Sequence, residues 1–489
     1  MKILLTILLL TLILAALNRM SIPAESEANR TASRIWGDAV ALLLCGVIFP
    51  ALILITGRYV TSIGIGLGLI LALWAGNGLK VRILGESLVF SDIFLAGHAL
   101  RWPRLYFGYA PKWVWPVVAL LVLLIGFAGA EEPVAAAADY TAAAWLCGGF
   151  AVLALVCATG LRRSGTEILK MFPVSFDSRT DMENYTPLGA AVLHTLHHLR
   201  NREVIKAQFS LPEDEEKRAE AETAAPLEER HPAHFILIQA ESWCPVAELT
   251  GRVSVTPTLD QLREKSLHGK LLLDWRGAYT MRTEFSVLTG LAVRALETFG
   301  FDPYRLAARI SMASLARDFR ASGWKAVAWH PNDGRFFDRT EVMPNLGFEH
   351  FADSSELGNL PLNGRYASDE ALLAAAAEYL EKSESPTFLF IVTMEGHGPW
   401  TGEAGRTETE AYEKRLASLD RGIAKLVTAI REKLPGTRLA IYGDHLPGIR
   451  DLAHVKSGDT AWMLWPGRNE ERDLRPEEMR PLIREEVLA

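Results

Sequence analysis

The chain has 489 residues, a net charge of −7 and a hydrophobic content of 49%. This acidic balance gives no electrostatic footprint for nucleic acid, because proteins that bind nucleic acid carry a basic surface against the phosphates. Three of the four cysteines lie in apolar runs and only Cys244 lies in the polar part, so an internal disulfide framework in the polar part is excluded.

Five apolar runs occupy the first third of the chain: Ile3–Leu17, Ala39–Thr56, Val60–Trp74, Trp113–Gly129 and Ala142–Leu161. Each approaches the ~20 residues that a helix needs to cross a bilayer. Residues 1–161 are therefore predicted to form a helical transmembrane domain of about five spans. The first run also resembles a cleaved signal peptide, but the four runs that follow closely favour an uncleaved span.

The charges around these spans do not agree with a simple topology. Five spans put the two ends of the chain on opposite sides, and cytoplasmic loops are normally the basic ones. A cytoplasmic N-terminus would place the basic loop at residues 76–111 outside. A segment at residues 81–109 that lies on the outer surface against anionic lipid would reconcile the two.

Residues 162–233 are predicted to form a juxtamembrane helix and a charged linker. In "LGAAVLHTLHHLRNRE", the histidines His194, His197 and His198 have a helical spacing that could hold a metal. A solvated linker helix is favoured instead, because no carboxylate or cysteine accompanies them on that face. The following stretch, Leu211 to His234, is charged and rich in Ala and Glu, which is typical of an exposed linker.

Residues 234–489 alternate between apolar strand patterns and amphipathic helices. A strong helix, "ASDEALLAAAAEYLEKS", begins after a predicted cap at Ser368 or Asp369. Continuous apolar strands between helices predict an α/β fold with a mostly parallel sheet covered on both faces. The five predicted strands are "HFILIQAES", "HGKLLLDW", "WKAVAWHP", "TFLFIVTMEGHG" and "RLAIYGDH".

Chemically reactive side chains follow four of these strands. Ligands of open α/β sheets bind beyond the carboxyl ends of the strands, and these ends deliver Glu241, His330, His397 and the pair Asp444–His445. A mixed carboxylate and imidazole set suits Mn²⁺ or Zn²⁺ better than Ca²⁺, which prefers oxygen ligands alone. The same edge of the sheet is therefore predicted to hold a divalent metal.

The stretch "RGAYTMRTEFSVLTGL" places two threonines, Thr280 and Thr283, at the start of a predicted helix. Free N–H groups and the helix dipole favour an anion there, whether an alkoxide or a phosphate. A threonine at this position can equally be an N-cap. The residues alone leave both roles open.

Five motifs in this order resemble the lipoteichoic acid synthase and phosphoglycerol transferase group of the alkaline phosphatase/sulfatase superfamily. They are "IQAESW", "AYTMRTEFSVLTG", "WKAVAWHPNDGRFFDR", "TMEGHGPW" and "IYGDHLPG". The resemblance covers nearly the whole chain: about five spans, a linker, and a sulfatase-like catalytic domain at residues 234–489.

The resemblance implies a role for individual residues. Thr280 matches the family nucleophile, and it completes with Glu241, Asp444 and His445 the ligand set of one divalent ion. Mn²⁺ is favoured, with Mg²⁺ or Zn²⁺ as alternatives. His330, Arg339 and His397 match positions that hold the phosphate and glycerol of the substrate, and His397 is also a candidate acid for the leaving group. Phe337 stands where tryptophan is common, and Asn332 where aspartate can occur.

The implied activity is transfer of glycerol phosphate from a phosphatidylglycerol-like lipid to a cell-envelope glycan or a glycerol-phosphate acceptor, through a covalent threonine intermediate. The implied location is the bacterial inner membrane, with multiple spans and an extracytoplasmic catalytic domain. Alternatives within the superfamily are a phosphoethanolamine transferase, a phosphodiesterase and a catalytically decayed binding protein. A sulfatase activity is excluded, because Cys244 lacks the Cys-x-Pro-x-Arg context.

Overall fold

The structure is a computed structural model that describes residues 1–21, 31–92, 114–163, 172–212, 233–275, 277–400 and 406–488. The chain forms two compact units, Met1–Arg202 and Glu203–Ala489. The predicted surface segment at residues 81–109 and the predicted charged linker lie mostly outside the described residues.

The first unit is helical. Buried apolar residues recur every three to four positions along its first helices, as at Ile3, Ile7, Leu10 and Leu14, and they pack against the second, third and fifth helices. Its helices are α1 (Lys2–Met20), α2 (Thr31–Thr56), α3 (Tyr59–Leu84), α4 (Val114–Glu131), α5 (Ala137–Arg163), α6 (Ser178–Tyr185) and α7 (Pro187–Phe209), with the boundary to the second unit inside α7.

The described residues contain four helices long and apolar enough to cross a membrane: Lys2–Met20, Ile35–Thr56, Tyr59–Arg82 and Ala137–Thr159. The fourth predicted span coincides with α4, whose apolar stretch Trp115–Glu131 is shorter than the other four. The prediction of a helical apolar region before an α/β domain is confirmed, with four candidate spans where about five were expected.

The histidines of α7 have a partner that the sequence did not indicate. The Nε2 atom of His194 lies 2.7 Å from a carboxylate oxygen of Asp181 on α6, and both side chains are buried. The expectation of a solvated helix face without a carboxylate is therefore wrong, because the carboxylate comes from a neighbouring helix 13 residues earlier.

The second unit is built on an eight-stranded sheet in the order β10-β2-β9-β8-β1-β7-β3-β4. Its strands are β1 (Phe235–Ala240), β2 (Leu267–Leu271), β3 (Lys325–Trp329), β4 (His350–Ala352), β7 (Thr387–Val392), β8 (Arg438–Gly443), β9 (Thr460–Trp465) and β10 (Glu470–Glu471), and β5 (Leu362–Asn363) with β6 (Tyr366–Ala367) forms a separate hairpin. The strands β8, β1, β7 and β3 run parallel, whereas β9 is antiparallel to both β8 and β2.

Helices cover both faces of this sheet. They are α8 (Val246–Thr250), α9 (Pro257–Arg263), α10 (Thr280–Thr289), α11 (Tyr304–Ala307), α12 (Leu315–Ala321), α13 (Arg339–Asn345), α14 (Ser354–Leu357), α15 (Asp369–Glu381), α16 (Glu408–Lys433) and α17 (Met479–Ile483), with short 3-10 turns at Val293–Phe301, Phe336–Asp338, Arg450–Leu452 and Pro476–Glu478 and a π turn at Arg484–Leu488. The predicted cap Ser368 begins α15, where its side chain accepts a hydrogen bond from the Ala371 N–H.

Alternate residues of the central strands point to opposite faces of the sheet, and each face packs into its own hydrophobic core. Ile236 and Ile238 of β1 pack with the apolar faces of α15 and α16. On the opposite face, the ring of Phe235 stacks on those of Phe319 from α12 and Phe388 from β7. Strands buried on both faces are expected in a parallel sheet, and this burial fixes the strand register that brings their carboxyl ends together.

Candidate active site

The four parallel strands end at one edge of the sheet, and the predicted residues follow them there. In the strand pairing Ala240 lies opposite Gly443, so that Glu241 and Asp444 begin neighbouring turns. Gln239 lies opposite Val392, which brings the segment after β7 beside the same turn. The parallel register therefore delivers carboxylates and histidines from distant parts of the sequence to one place.

Glu241, Asp444 and His445 form a buried cluster whose possible ligand atoms all lie within 4.8 Å of one another. The Nε2 atom of His445 is 3.2 Å from Oε1 of Glu241 and 3.3 Å from Oδ2 of Asp444. Two carboxylates and an imidazole make a donor set suited to a divalent transition metal.

Ser242 holds both carboxylates of this cluster. Its backbone N–H donates to Oδ1 of Asp444 at 2.7 Å, and its hydroxyl donates to Oε1 of Glu241 at 2.9 Å. The residue adopts a left-handed backbone with φ of 57°, which is uncommon for a residue other than glycine. Among the described residues, Oδ2 of Asp444 is buried without a hydrogen-bond partner.

The pKa values of the three side chains show that a positive charge stabilises the cluster. Burial raises the pKa of Asp444 to about 7, and the neighbouring Glu241 carboxylate adds to the rise. Burial would also raise the pKa of Glu241, but His445 lowers it to about 2. Burial would lower the pKa of His445, yet the two carboxylates raise it to about 10. A cation bound here would replace the proton of His445, so the residues fit a divalent metal.

Thr280 is the first residue of α10 and its side chain is largely buried. Its hydroxyl lies beside the Asp444 carboxyl and helps to lower that group's pKa. The N-cap position belongs to Tyr279, which makes no side-chain capping bond. Thr280 therefore adjoins the candidate metal cluster at a helix N-terminus, where unpaired N–H groups point outward.

Thr283 does not cap α10 either. Its hydroxyl donates to the main-chain carbonyl of Asp444 at 2.7 Å, and the side chain is fully buried. The two threonines thus touch the same residue in different ways. Thr280 is next to the Asp444 carboxyl, whereas Thr283 ties the helix to the Asp444 backbone.

His330 and Arg339 are both buried near the cluster. Burial and the charge of Arg339 lower the pKa of His330 to about 3, so its ring is neutral. The Nδ1 atom of His330 lies 3.4 Å from the Val392 carbonyl. Its Nε2 atom is buried without a hydrogen-bond partner among the described residues, which makes this nitrogen available to a ligand.

Arg339 is engaged by a residue that the sequence analysis did not single out. Its Nε and Nη2 atoms donate to the two carboxylate oxygens of Glu284, at 3.1 and 2.8 Å. Gln239 and the Tyr304 hydroxyl donate to the same carboxylate. Burial would lower the pKa of Arg339, but Glu284 keeps it above its usual value. Nη1 donates to the Phe336 carbonyl at 3.4 Å, and its second N–H can still be presented to an anion.

His397 is half-buried after β7, and its Nδ1 atom lies 2.7 Å from the Gly398 carbonyl and 3.2 Å from the Tyr366 hydroxyl. Its charge lowers the pKa of Glu241, so its ring lies within electrostatic reach of the metal cluster. The half-exposed ring matches a group that meets a substrate.

The two departures from the family pattern lie on one loop after β3. Phe337 is half-buried with its ring centre 5.4 Å from Cζ of Arg339, and both Phe337 and Asp338 have positive φ. Asn332 is half-buried two residues after His330, and its main-chain carbonyl accepts from Ser354. The glycerol-contact roles predicted for Asn332 and Phe337 stay predictions.

Local sequence reasoning missed Ser242, Glu284 and Tyr366. Ser242 lies in the motif "IQAESW" next to Glu241, and Glu284 lies in "AYTMRTEFSVLTG" next to Thr283. In each motif the neighbouring residue was the one given a candidate role. A buried carboxylate in the middle of an amphipathic helix face was a usable signal for Glu284, because an unpaired buried charge is costly. Tyr366 gave no comparable signal.

Comparison with known proteins agrees with this domain. The model of the Sulfatase family matches residues 233–471. Capsular polysaccharide biosynthesis protein RkpI of Rhizobium meliloti is 26% identical over 395 residues, which cover 76% of this chain and 71% of that protein. A second Rhizobium meliloti protein, named for cyclic beta-1,2-glucan modification, is 29% identical over 237 residues and 45% of this chain. The chain spans about a third (36%) of this second relative's length.

A solved structure of a membrane protein matches nearly the full length of the chain. The integral membrane lipooligosaccharide phosphoethanolamine transferase A (EptA) from Neisseria meningitidis matches 96% of this chain and 93% of its own, with a TM-score of 0.54 and 15% identity. At this identity the match concerns the fold: apolar helices followed by an α/β domain.

Proposed function

Residues 233–471 form a sulfatase domain of the alkaline phosphatase superfamily, and on this premise we propose that the protein is a membrane-bound phosphoglycerol transferase. The donor is a phosphatidylglycerol-like lipid, and the acceptor is a hydroxyl of an envelope glycan or of a glycerol-phosphate chain. The observation that carries the proposal is the position of Thr280, at a helix N-terminus beside the buried Glu241–Asp444–His445 cluster.

Thr280 is the proposed nucleophile. Its oxygen bonds to phosphorus as the bond from phosphorus to the diacylglycerol oxygen breaks, which leaves glycerol phosphate on Thr280. In the second step an acceptor hydroxyl displaces Thr280 from phosphorus. Thr280 releases its proton to solvent in the first step and takes one back from solvent in the second, so the chain is unchanged after both steps.

Glu241, Asp444, His445 and Thr280 are the residues that would hold the divalent ion. Such an ion would lower the pKa of a neighbouring hydroxyl and offset negative charge on the phosphate. Oδ2 of Asp444, which is buried with no hydrogen bond among the described residues, and the raised pKa of His445 support this assignment. The resemblance stated above favours Mn²⁺.

The remaining residues are proposed to bind and protonate. The first N–H groups of α10 and the guanidinium of Arg339 face the phosphate oxygens. His330 is neutral with a free Nε2, which suits it to accept a hydrogen bond from a hydroxyl of the glycerol head. His397 gives a proton to the departing diacylglycerol oxygen and takes one from the acceptor hydroxyl. Phe337 and Asn332 are proposed to line the glycerol side.

The apolar helices support a lipid donor. Four of them have the length and composition of membrane spans, and tethering a catalytic domain to the bilayer raises its effective concentration at lipid head groups. We place the domain outside the bacterial inner membrane, where envelope glycans are exposed. The names of the two Rhizobium meliloti relatives, which refer to a capsular polysaccharide and a cyclic glucan, favour a glycan acceptor.

Purified full-length protein with phosphatidylglycerol labelled in the terminal glycerol tests this function. With Mn²⁺, we expect diacylglycerol release and transfer of the label to an added glycan. Thr280→Ala should reduce release by about 1,000-fold or more, while the matched variant Thr289→Ala should not, since that hydroxyl bonds to Phe285 and Leu291 at the other end of the helix. Release that survives Thr280→Ala would refute the nucleophile, and consumption of phosphatidylethanolamine in place of phosphatidylglycerol would refute the donor.

A further inference from the structure

The hairpin at residues 362–367 has no role in the chemistry described so far. Its two short strands, β5 and β6, turn at Gly364, which has a φ of 75°. Although it lies apart from the main sheet, it directs two polar side chains at the segment Glu395–Gly398 that follows β7. That segment contains His397.

The hairpin is anchored by a buried carboxylate. The Asn363 amide donates to Oε1 of Glu395 at 2.6 Å, and the Ser418 hydroxyl and the Asp369 N–H donate to its Oε2 at 2.8 and 2.7 Å. In return Oδ1 of Asp369 accepts from the Glu395 N–H at 3.2 Å. These bonds join the hairpin, the start of α15 and the His397 segment into one hydrogen-bonded group.

Tyr366 completes this group at the ring of His397. Its hydroxyl is 3.2 Å from Nδ1 of His397 and donates to the Gly398 carbonyl at 3.3 Å. Nδ1 is also 2.7 Å from that carbonyl. A carbonyl oxygen can only accept, so Nδ1 must carry a hydrogen, and the Tyr366 oxygen, whose own proton is used on Gly398, accepts from it as well. This tautomer is assigned from the bonding pattern.

We propose that Tyr366 is a positioning residue for His397: together with the Gly398 carbonyl, to which it also donates, it holds the ring in place as the Nδ1–H tautomer and leaves Nε2 as the nitrogen that exchanges protons with substrate. This inference rests on the function proposed for His397. The imidazolium gives its Nε2 proton to the departing diacylglycerol oxygen and becomes the neutral Nδ1–H form. That form then takes the acceptor's proton at Nε2 and returns to the imidazolium.

The other charged groups near His397 do not change the assignment of the Nδ1–H tautomer. Glu241 attracts the ring from the metal cluster. Glu395 is occupied by Asn363, Ser418 and Asp369, and Arg415 donates to the main-chain carbonyl of His397 at 2.5 Å. Among the described residues, the ring of His397 hydrogen-bonds with the Tyr366 hydroxyl and the Gly398 carbonyl.

The test combines a spectroscopic and a kinetic measurement on full-length protein in detergent. Nitrogen chemical shifts of ¹⁵N-histidine-labelled protein report the tautomer, and His397→Gln identifies the His397 signals among the 12 histidines. In the wild type we expect the Nδ1–H form. In Tyr366→Phe the ring and the Gly398 carbonyl both lose a hydrogen bond, and we expect shifted His397 signals and a fall in kcat of about 10-fold with KM changed by less than about 2-fold.

Two further variants make the result specific. Asn363→Ala, which loosens the anchor, should shift the His397 signals in the same direction as Tyr366→Phe. Tyr379→Phe is the matched control, because Tyr379 lies on α15 and its ring packs against Trp329 of β3, and it should change neither measurement. An Nε2–H form in the wild type, or unchanged signals and kcat in Tyr366→Phe, would overturn the inference. A wild type that turns over no phospholipid refutes the proposed function instead, and the spectra still decide the tautomer.

Discussion

Thr280 and Thr283 are three residues apart, yet the structure gives them different surroundings. Thr280 lies beside the carboxyl of Asp444, while Thr283 donates to its main-chain carbonyl 161 residues later in the chain. The sequence predicted a helix start and two possible caps. It could not indicate the bond from Thr283, because nothing local to "TEF" specifies a partner in the turn after β8.

The Thr283 bond gives a first prediction. Thr283→Val keeps the side-chain volume but leaves the buried Asp444 carbonyl without its donor. We expect a loss of about 1–3 kcal/mol in the free energy of unfolding and a fall of ~10-fold or more in Mn²⁺ affinity, because a residue supporting a ligand is removed. Calorimetric titration and thermal unfolding measure the two.

Thr289→Val is the control for this change. Thr289 is as buried as Thr283, but its hydroxyl bonds to Phe285 in the same helix. Equal losses of metal affinity in both variants would show that Thr283 has no special connection to the metal cluster.

At the scale of elements, the turns after β1, β7 and β8 approach one another unusually closely. A Cβ atom placed on Gly443 would lie 1.8 Å from the Trp243 carbonyl oxygen, and one on Gly396 would lie 2.2 Å from that of Glu241. Because both residues are glycines, the backbone of the turn after β1, which carries Glu241 and Ser242, can pack directly against them. The absence of a side chain at these positions sets the spacing of the candidate ligands.

Gly443→Ala should force the β1 and β8 turns apart. We expect a destabilisation of about 3 kcal/mol and loss of measurable Mn²⁺ binding, since Ser242 could no longer reach both carboxylates. Gly448→Ala is the control nearby, because its nearest contact would be an ordinary 3.8 Å to the Trp400 ring. Retained metal binding in Gly443→Ala would contradict this view of the turn spacing.

Five strands and the parallel central sheet could be predicted from the local pattern, since the four parallel strands β1, β3, β7 and β8 are largely apolar runs bounded by turn residues. The elements that were missed lack this pattern. The strand β9 pairs antiparallel with β8 and β2, and an apolar run alone does not specify direction. β10 and the 362–367 hairpin consist of two-residue strands, which are too short for any periodicity.

At the scale of the whole molecule, contacts between distant residues could be predicted from the sequence only at the strand ends, because the sheet topology brings those ends together. The strand-end rule grouped Glu241, Asp444 and His445, which the structure brings within 4.8 Å. The strand-end rule did not predict ion pairs that depend on helix packing, such as Glu284 with Arg339 and Asp181 with His194. Their partners are set by tertiary contacts between elements that the local pattern leaves unpaired.

A buried histidine outside the site makes stability depend on pH. Burial lowers the pKa of His234 to about 4, from about 6.5 in an unfolded chain. Because the unfolded chain takes up this proton more readily, the stabilisation present above pH 6.5 is lost as the pH falls from 6.5 towards 4. The low pKa of His330 acts in the same direction.

We therefore expect His234 to lower the stability of the full-length protein, measured by thermal unfolding, between pH 7 and pH 5. His234→Gln removes the titrating group, and between these pH values the wild type should lose about 2 kcal/mol of stability relative to this variant. The exposed His350, paired with Glu356, provides the control His350→Gln. An identical pH dependence in His234→Gln and the wild type would contradict the assignment to His234.

The most direct test of the central claim is to locate the covalent intermediate. Trypsin cleaves after Arg276, Arg282 and Arg294, so that Thr280 and Thr283 fall in different peptides, Gly277–Arg282 and Thr283–Arg294. Full-length protein incubated with phosphatidylglycerol and Mn²⁺ without an acceptor, quenched in acid and digested, is analysed by mass spectrometry. The account predicts that Gly277–Arg282 alone gains the mass of glycerol phosphate and loses it when acceptor is added. Modification of Thr283–Arg294, or turnover of the lipid with neither peptide modified, would contradict it.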